Sequence, residues 1–211
     1  MLRLHMSPFS PYARKPRVVL LEKGLEFEGI DTQTATPNAL LAERNPNLRI
    51  PVLIDEAAGR TLWESNVVVD YLLTTYPATP PAAPVPPLAQ TLVRAEHRWD
   101  DLLVLSTIET TLNSGVNLIQ MVRGGIDPDQ VPFLRKEKER IGSNLTWLNT
   151  QATPEGFIPG VFSIADLNLV IALQWLAFRE MFAWQGMGFT NLEAILSRYV
   201  DRPSVAATAP K

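Results

Sequence analysis

Ser7-Pro8-Phe9-Ser10-Pro11-Tyr12-Ala13-Arg14-Lys15 carries a strand end, a hydroxyl and a proline-started helix within nine residues. The apolar segment Met1–Met6 before it reads as a short strand. Pro11 suits a first helical position, where the missing N–H costs nothing and φ is preset. Ser10 then stands at a helix N-terminus, where unsatisfied N–H groups and the positive end of the macrodipole favour an anion, a ligand's thiolate included. Ser is also a standard N-cap, so on these residues alone capping and anion binding both stay open. Ser7 is a second candidate hydroxyl at the strand end. Pro16, inside the helix, predicts a kink or a late start.

Outward from this stretch, short strand and helix signals alternate. Gly24 suits the left-handed C′ position after the first helix. A strand near Glu26–Asp31, a short helix over 38–43, a strand Val52–Asp55, a turn through Gly59, a strand Thr61–Trp63 and a helix Ser65–Tyr76 complete a βαβαββα order, a small α/β domain over residues 1–76. Residues 77–87 hold six prolines in eleven positions and read as a stiff linker. From 88 to 211 the pattern is helical. Leu88, Leu92, Ala95, Trp99 and Leu102 are spaced as an apolar stripe on one long helix. A helix is expected from Pro132 to about Thr150. Ser163-Ile164-Ala165-Asp166 forms a capping box with Phe162 and Leu167 as its hydrophobic staple. It opens an apolar segment, Ile164–Phe178, of fifteen residues, too short to cross a bilayer and expected as a buried central helix. Thr190-Asn191-Leu192-Glu193 reads as a second capping box, for a helix that stops before Pro203.

Two further segments bear on function. In Asn45-Pro46-Asn47-Leu48-Arg49-Ile50-Pro51-Val52-Leu53-Ile54-Asp55 a strand is entered directly through a proline, a candidate cis bond that would leave the Ile50 backbone open to an extended ligand. In Leu62-Trp63-Glu64-Ser65-Asn66-Val67 a Glu-Ser pair opens a helix; Ser65 can cap it, and its N-terminus is a carboxylate-binding position.

In order and spacing, these three segments resemble the glutathione transferases. The resemblance implies a thioredoxin-like N-terminal domain with a cis proline at Pro51, followed by an all-helical domain. It implies that Ser10 hydrogen-bonds the glutathione sulfur, as in serine-type members, that Ile50 offers its backbone to the cysteinyl part, and that Glu64 and Ser65 hold the glutamyl end. Arg49 sits where a lysine near the glycyl carboxylate is frequent. A hydrophobic electrophile would bind between Phe9 or Tyr12 and the helical domain, near Leu105, Ile108 and Met121. A homodimer is implied, with the long helix after the linker and the Ser65–Tyr76 helix at the two-fold interface. The chain departs from the pattern at Leu48, where many members have Gly, which puts the strength of glutathione binding in question. The same fold serves in some bacterial proteins as a partner-binding module, and in specialised members for isomerisation, dehalogenation or ether cleavage.

Composition sets bounds on all of these. The chain of 211 residues is 46% hydrophobic, enough for a core in one or two domains. Its net charge is −3, with basic residues spread along the chain, so no electrostatic nucleic-acid footprint is evident. The run Arg135–Arg140 mixes signs and reads as a solvated helix face. There is no cysteine, which excludes disulfides and a protein-thiol nucleophile. The two histidines, His5 and His97, make no metal cluster, and no metal is expected. Asp166 is expected to be structural, and Trp99, Trp147, Trp175 and Trp184 packing anchors. No secretory signal is evident, so the cytoplasm is the expected compartment.

Overall fold

Leu2, Leu4 and His5 are all buried, as the residues of a strand covered on both faces should be, and Leu2–Met6 forms β1 at the centre of a sheet. A computed structural model describes residues 1–33, 44–76 and 86–210 of the chain. The expected helix over 38–43 and most of the expected linker, 77–85, lie outside the described residues. The contacts divide the chain into two units, Met1–Leu92 with Arg202–Lys211, and Val93–Asp201. The second unit therefore does not run to the C-terminus, as 88–211 would, and Leu88–Leu92 belong with the first.

In the first unit β1 is followed by α1 (Pro11–Glu22), β2 (Phe27–Asp31), β3 (Val52–Asp55), β4 (Arg60–Trp63) and α2 (Ser65–Thr75). The strands order as β2-β1-β3-β4, with β1 parallel to β2 and antiparallel to β3, and β3 antiparallel to β4. This is a thioredoxin-like sheet. α1 and α2 pack together and bury Ala13, Val18, Val19, Leu20, Val68, Val69 and Leu72. Pro16 neither delays nor interrupts α1, which runs from Pro11 to Glu22. Beyond it Gly24 has φ +62°, the Gly24 N–H donates to Leu21 C=O and Leu25 N–H to Leu20 C=O, a Schellman end of the kind its sequence position indicated.

The second unit consists of α3 (Arg98–Arg123), a short 3₁₀ turn at Pro128–Gln130, α4 (Pro132–Gln151), α5 (Ile164–Phe178) and α6 (Thr190–Tyr199), while α7 (Pro203–Ala207) belongs to the first. α3 packs on both α4 and α5. A Cβ added at Gly115 would lie 2.6 Å from Leu176 Cδ2 and 3.1 Å from Trp175, so the α3–α5 approach needs a residue without one. α5 is buried almost all round, with the Ser163–Asp166 capping box formed and the staple residues Phe162 and Leu167 both at 0% exposure. α3 is long and apolar enough to span a bilayer by length and composition, but it buries Val104, Leu105, Ile108, Leu112 and Leu118 inward and is a core helix of this unit.

Four sequence expectations are corrected. The stripe from Leu88 to Leu102 is not one helix: α3 starts only at Arg98, because Asp101 in its first turn accepts from the Arg94 main chain at 2.8 Å and from its guanidinium, tying the preceding segment back across the helix start. Trp99 is 74% exposed, with the Arg98 guanidinium over its ring, and is no packing anchor among the described residues. Glu137 does not lie on a solvated face but is buried, paired with Arg140. Burial pushes its carboxyl up, and the polar groups around it, Ser114, the paired Arg140 guanidinium and Asn117, outweigh that and hold it below the usual range. The second capping box does not form: Phe189 is the N-cap of α6, and Glu193 accepts instead from Gly186 N–H at 3.3 Å.

Candidate functional site

Register brings the three sequence segments to one end of the sheet. Val52 opens β3 opposite His5 of β1 and opposite Trp63 of β4. The turn Ser7–Ser10 leaving β1, the Ile50-Pro51 entry to β3 and the Glu64-Ser65 pair leaving β4 therefore all lie at that end. The Ile50-Pro51 bond is cis, and Ile50 stands before the first ladder pair.

Ser10 is the N-cap of α1, with extended φ −81° and ψ 119°. Its Oγ accepts from Ala13 N–H at 3.2 Å. A hydroxyl that accepts a capping bond keeps its own proton for donation, so the two readings of Ser10 are compatible. Ser7 is buried at 6% exposure, accepts weakly from Phe9 N–H at 3.4 Å and lies before the helix. Ser10 is only half-buried. Phe9 is 37% exposed and Tyr12 half-buried.

The loop before β3 is organised by a residue that pattern reading passed over. Asn45, 1% exposed, accepts from Asn47 N–H through Oδ1 at 2.8 Å and from Leu48 N–H through its carbonyl at 3.0 Å, and its Nδ2 donates to Arg49 C=O at 2.7 Å. This closes a turn in which Leu48 takes φ +54°, a left-handed value at which Gly would be unstrained. Arg49 is exposed. Glu64 is itself at φ +65°, is exposed, and precedes rather than begins α2. Its side chain makes no capping bond, and Ser65 is the first helical residue instead of the cap. Asn47 Nδ2 donates to Glu64 Oε1 at 2.7 Å, joining the loop to the start of α2. The Asn45-Pro46 pair was the available signal, since Asn-Pro initiates turns.

Behind the site α1 is held by the chain's last described segment. Arg202 pairs with Glu22 through two bonds of 2.7 and 2.6 Å, both side chains 4% exposed or less, and Ser204 also donates to that carboxylate. Arg14, whose N–H bonds Ser10 C=O, gives its guanidinium to Val205 C=O at 2.9 Å and Thr208 Oγ1 at 3.1 Å. Burial, with Arg17 nearby, lowers the Arg14 pKa to about 10.

The expected second-substrate positions do not form one group. Leu105 and Ile108 are 4% and 1% exposed, their surface spent on packing, whereas Met121 is 40% exposed. Met121 lies sixteen residues beyond Leu105 on the same helix, which at 1.5 Å per residue is about 24 Å, too far to share a small-molecule pocket. Among the described residues no group of His, Asp and Glu side chains is arranged to hold a metal.

Residues 4–81 match the family model for the glutathione S-transferase N-terminal domain. Over its full length the chain is similar to a crystal structure of a glutathione S-transferase from Methylobacillus flagellatus KT with GSH bound, at TM-score 0.80 and 25% identity, covering 100% of both chains. It is 24% identical to the uncharacterized GST-like protein YibF of Escherichia coli (strain K12), over 99% of this chain and 98% of that one. It is 26% identical to a stringent starvation protein A homolog of Haemophilus ducreyi (strain 35000HP / ATCC 700724), over 95% of this chain and 87% of that one. With its thioredoxin-like sheet and helical second unit, the chain has the fold of that glutathione S-transferase structure.

Proposed function

We propose that the chain is a glutathione transferase that activates the glutathione thiol with Ser10 for attack on a small hydrophobic electrophile. The observation that carries the reading is the convergence of Ser10, Ile50-Pro51 and Glu64-Ser65 at one end of the sheet, supported by the glutathione held in the Methylobacillus structure. A free thiol of pKa about 8.5 is only a few per cent ionised at neutral pH. Ser10 donates its proton as a hydrogen bond to the thiolate, beside the N–H groups of the first turn of α1, without becoming covalent. The Ile50 main chain takes the cysteinyl part, Arg49 the glycyl carboxylate, and Glu64 and Ser65 the glutamyl end. Phe9 and Tyr12 remain as second-substrate contacts. With no cysteine in the chain, no mixed disulfide with glutathione forms. The protein acts in the cytoplasm as a homodimer, with the exposed Trp99 and Leu103 on α3 and Val67 on α2 as its interface.

A second reading, a partner-binding protein without transferase activity, is favoured by the likeness to the stringent starvation protein A homolog. Thermal shift with glutathione and an S-alkyl glutathione separates the two. Ligand at 100 times its dissociation constant stabilises by about 2.7 kcal/mol, and no shift with either would refute the transferase. Light scattering that returns the 23.5 kDa monomer at micromolar concentration would refute the dimer.

A further inference from the structure

Among the described residues three non-glycine positions have positive φ: Leu48, Glu64 and Glu180. Glu180 is accounted for by its place after α5, where its N–H bonds Ala177 C=O and the Met181 N–H bonds Leu176 C=O, a helix end of the Schellman type. No helix C-terminus accounts for Leu48, or for Glu64 at the N-cap position of α2, and the two adjoin a single hydrogen bond, from Asn47 Nδ2 to Glu64 Oε1 at 2.7 Å. Backbone conformations of this cost persist where the surroundings enforce them, and they concentrate at binding sites. Here the enforcement is visible. Asn47 is fixed by the buried Asn45, and Glu64 is placed off the helix with its carboxylate unused for capping, unlike Ser10 and Ser163, whose side chains cap α1 and α5.

We propose that Asn47 is a positioning residue for the amine end of the glutathione site: its amide holds Oε1 of Glu64 so that Oε2 accepts from the α-ammonium of the glutamyl group. This rests on the reading of Glu64 given above. Two features suit Asn to the task. A flexible exposed Glu loses rotamer freedom when it binds a ligand, and a side chain already fixed has lost it beforehand. Because the Asn amide is neutral, it orients the carboxylate without cancelling its charge, which a Lys or Arg in the same place would do. The bond also joins the Arg49-Ile50 loop to the start of α2, so the two ends of the tripeptide site are set relative to each other before ligand arrives.

Calorimetry with glutathione and with its analogue lacking the α-amino group, glutaryl-cysteinyl-glycine, tests this on the wild type and on Asn47→Ala, Asn47→Asp, Glu64→Ala and the double Ala variant. Asn47→Ala is expected to weaken glutathione binding by about 3- to 10-fold, raising KM more than it lowers kcat, less than a direct hydrogen bond to a charged ligand is worth because Asn47 acts only through the exposed Glu64. The loss should be absent for the deamino analogue and absent in the Glu64→Ala background. Asn47→Asp keeps the shape but sets a like charge against Glu64, and should weaken binding further. Equal glutathione binding by wild type and Asn47→Ala overturns the assignment while leaving Glu64 in place. A loss of the same size for both ligands, or one that persists without Glu64, overturns it in favour of a purely structural loop role. If the wild type itself does not distinguish glutathione from the deamino analogue, the reading of Glu64 fails and Asn47 falls with it.

Discussion

Replacing Ser10 should change two quantities that can be separated, because its hydroxyl has two uses. As an acceptor it caps α1 at Ala13 N–H; as a donor, in the mechanism proposed above, it would stabilise the bound thiolate. Ser10→Ala removes both, whereas Ser10→Gly removes the donor yet caps nearly as well, since Ala at an N-cap costs about 0.5–2 kcal/mol and Gly only a few tenths. Both variants should lose the same hydrogen bond to a charged sulfur, about 1.5–3 kcal/mol. At 1.36 kcal/mol per unit, the pKa of bound glutathione should rise by about 1–2 units in each. The sign follows directly: at neutral pH less thiolate is present, so kcat/KM falls about 10- to 100-fold, and the deficit closes as pH rises past the free-thiol value of about 8.5. Thiolate absorbance titrated across pH in the glutathione complex reads the first effect, and denaturant unfolding the second. Equal thiolate pKa in the wild type and Ser10→Gly would sink the mechanism. A shift in Ser7→Ala alone would move the role to Ser7.

Asp166 is fully buried, and burial raises its pKa to about 6 against hydrogen bonds from Ser163 and from the Phe157 N–H. A raised carboxyl contributes stability that is complete below the ordinary value and lost as pH rises through about 6. The advantage of wild type over Asp166→Asn in urea unfolding should therefore be larger at pH 4 than at pH 7, by an amount on the order of 2–3 kcal/mol; growth of the gap with pH would show that the hydrogen bonds win over burial. Gly115→Ala should destabilise by about 1–3 kcal/mol through overpacking against Leu176. Gly142→Ala, whose Cβ would meet Phe182 at an ordinary 3.5 Å, should stabilise α4 by about 0.5–1 kcal/mol; thermal melts that rank the two the other way refute the close α3–α5 approach. Glu180→Gly should stabilise by roughly 0.5–1 kcal/mol, because the left-handed position at the end of α5 is strained for any residue with a Cβ, and an unchanged or lower melting temperature would contradict this.

Local chemistry explains what could be read without coordinates. α1, its Gly24 end, β3 and α5 are each bounded by Pro, Gly or Ser residues whose backbone preferences act within one turn, so their limits are written in the residues themselves. The start of α3 is different. The 4-3-4-3 spacing from Leu88 to Leu102 satisfies a helical period, but the Arg94–Asp101 ion pair, a contact across seven positions, decides where the helix begins, and periodicity carries no record of it. Glu137 likewise looks like one charge in a solvated run because sequence shows which residues alternate but not which face is covered. Within the site, Ser10, Pro51 and Glu64 stand out by residue type. Asn47 does not, since its significance lies in what it reaches, seventeen residues away.

The clamp on α1 has a consequence for how the protein is made. Glu22 and Arg14 belong to α1, yet their partners Arg202 and Thr208 follow 180 and 194 residues later in the chain. A nascent chain carrying everything to Leu92 has the whole sheet and still lacks Arg202 and Ser204, the groups that pair with the Glu22 carboxylate in the finished fold. Vectorial synthesis thus does not complete the units in the order in which they are encoded. The helical unit, contiguous from Val93 to Asp201, has all its residues before the thioredoxin-like one receives its last. A ribosome-bound intermediate should accordingly show a protected helical unit beside an N-terminal helix still open to exchange.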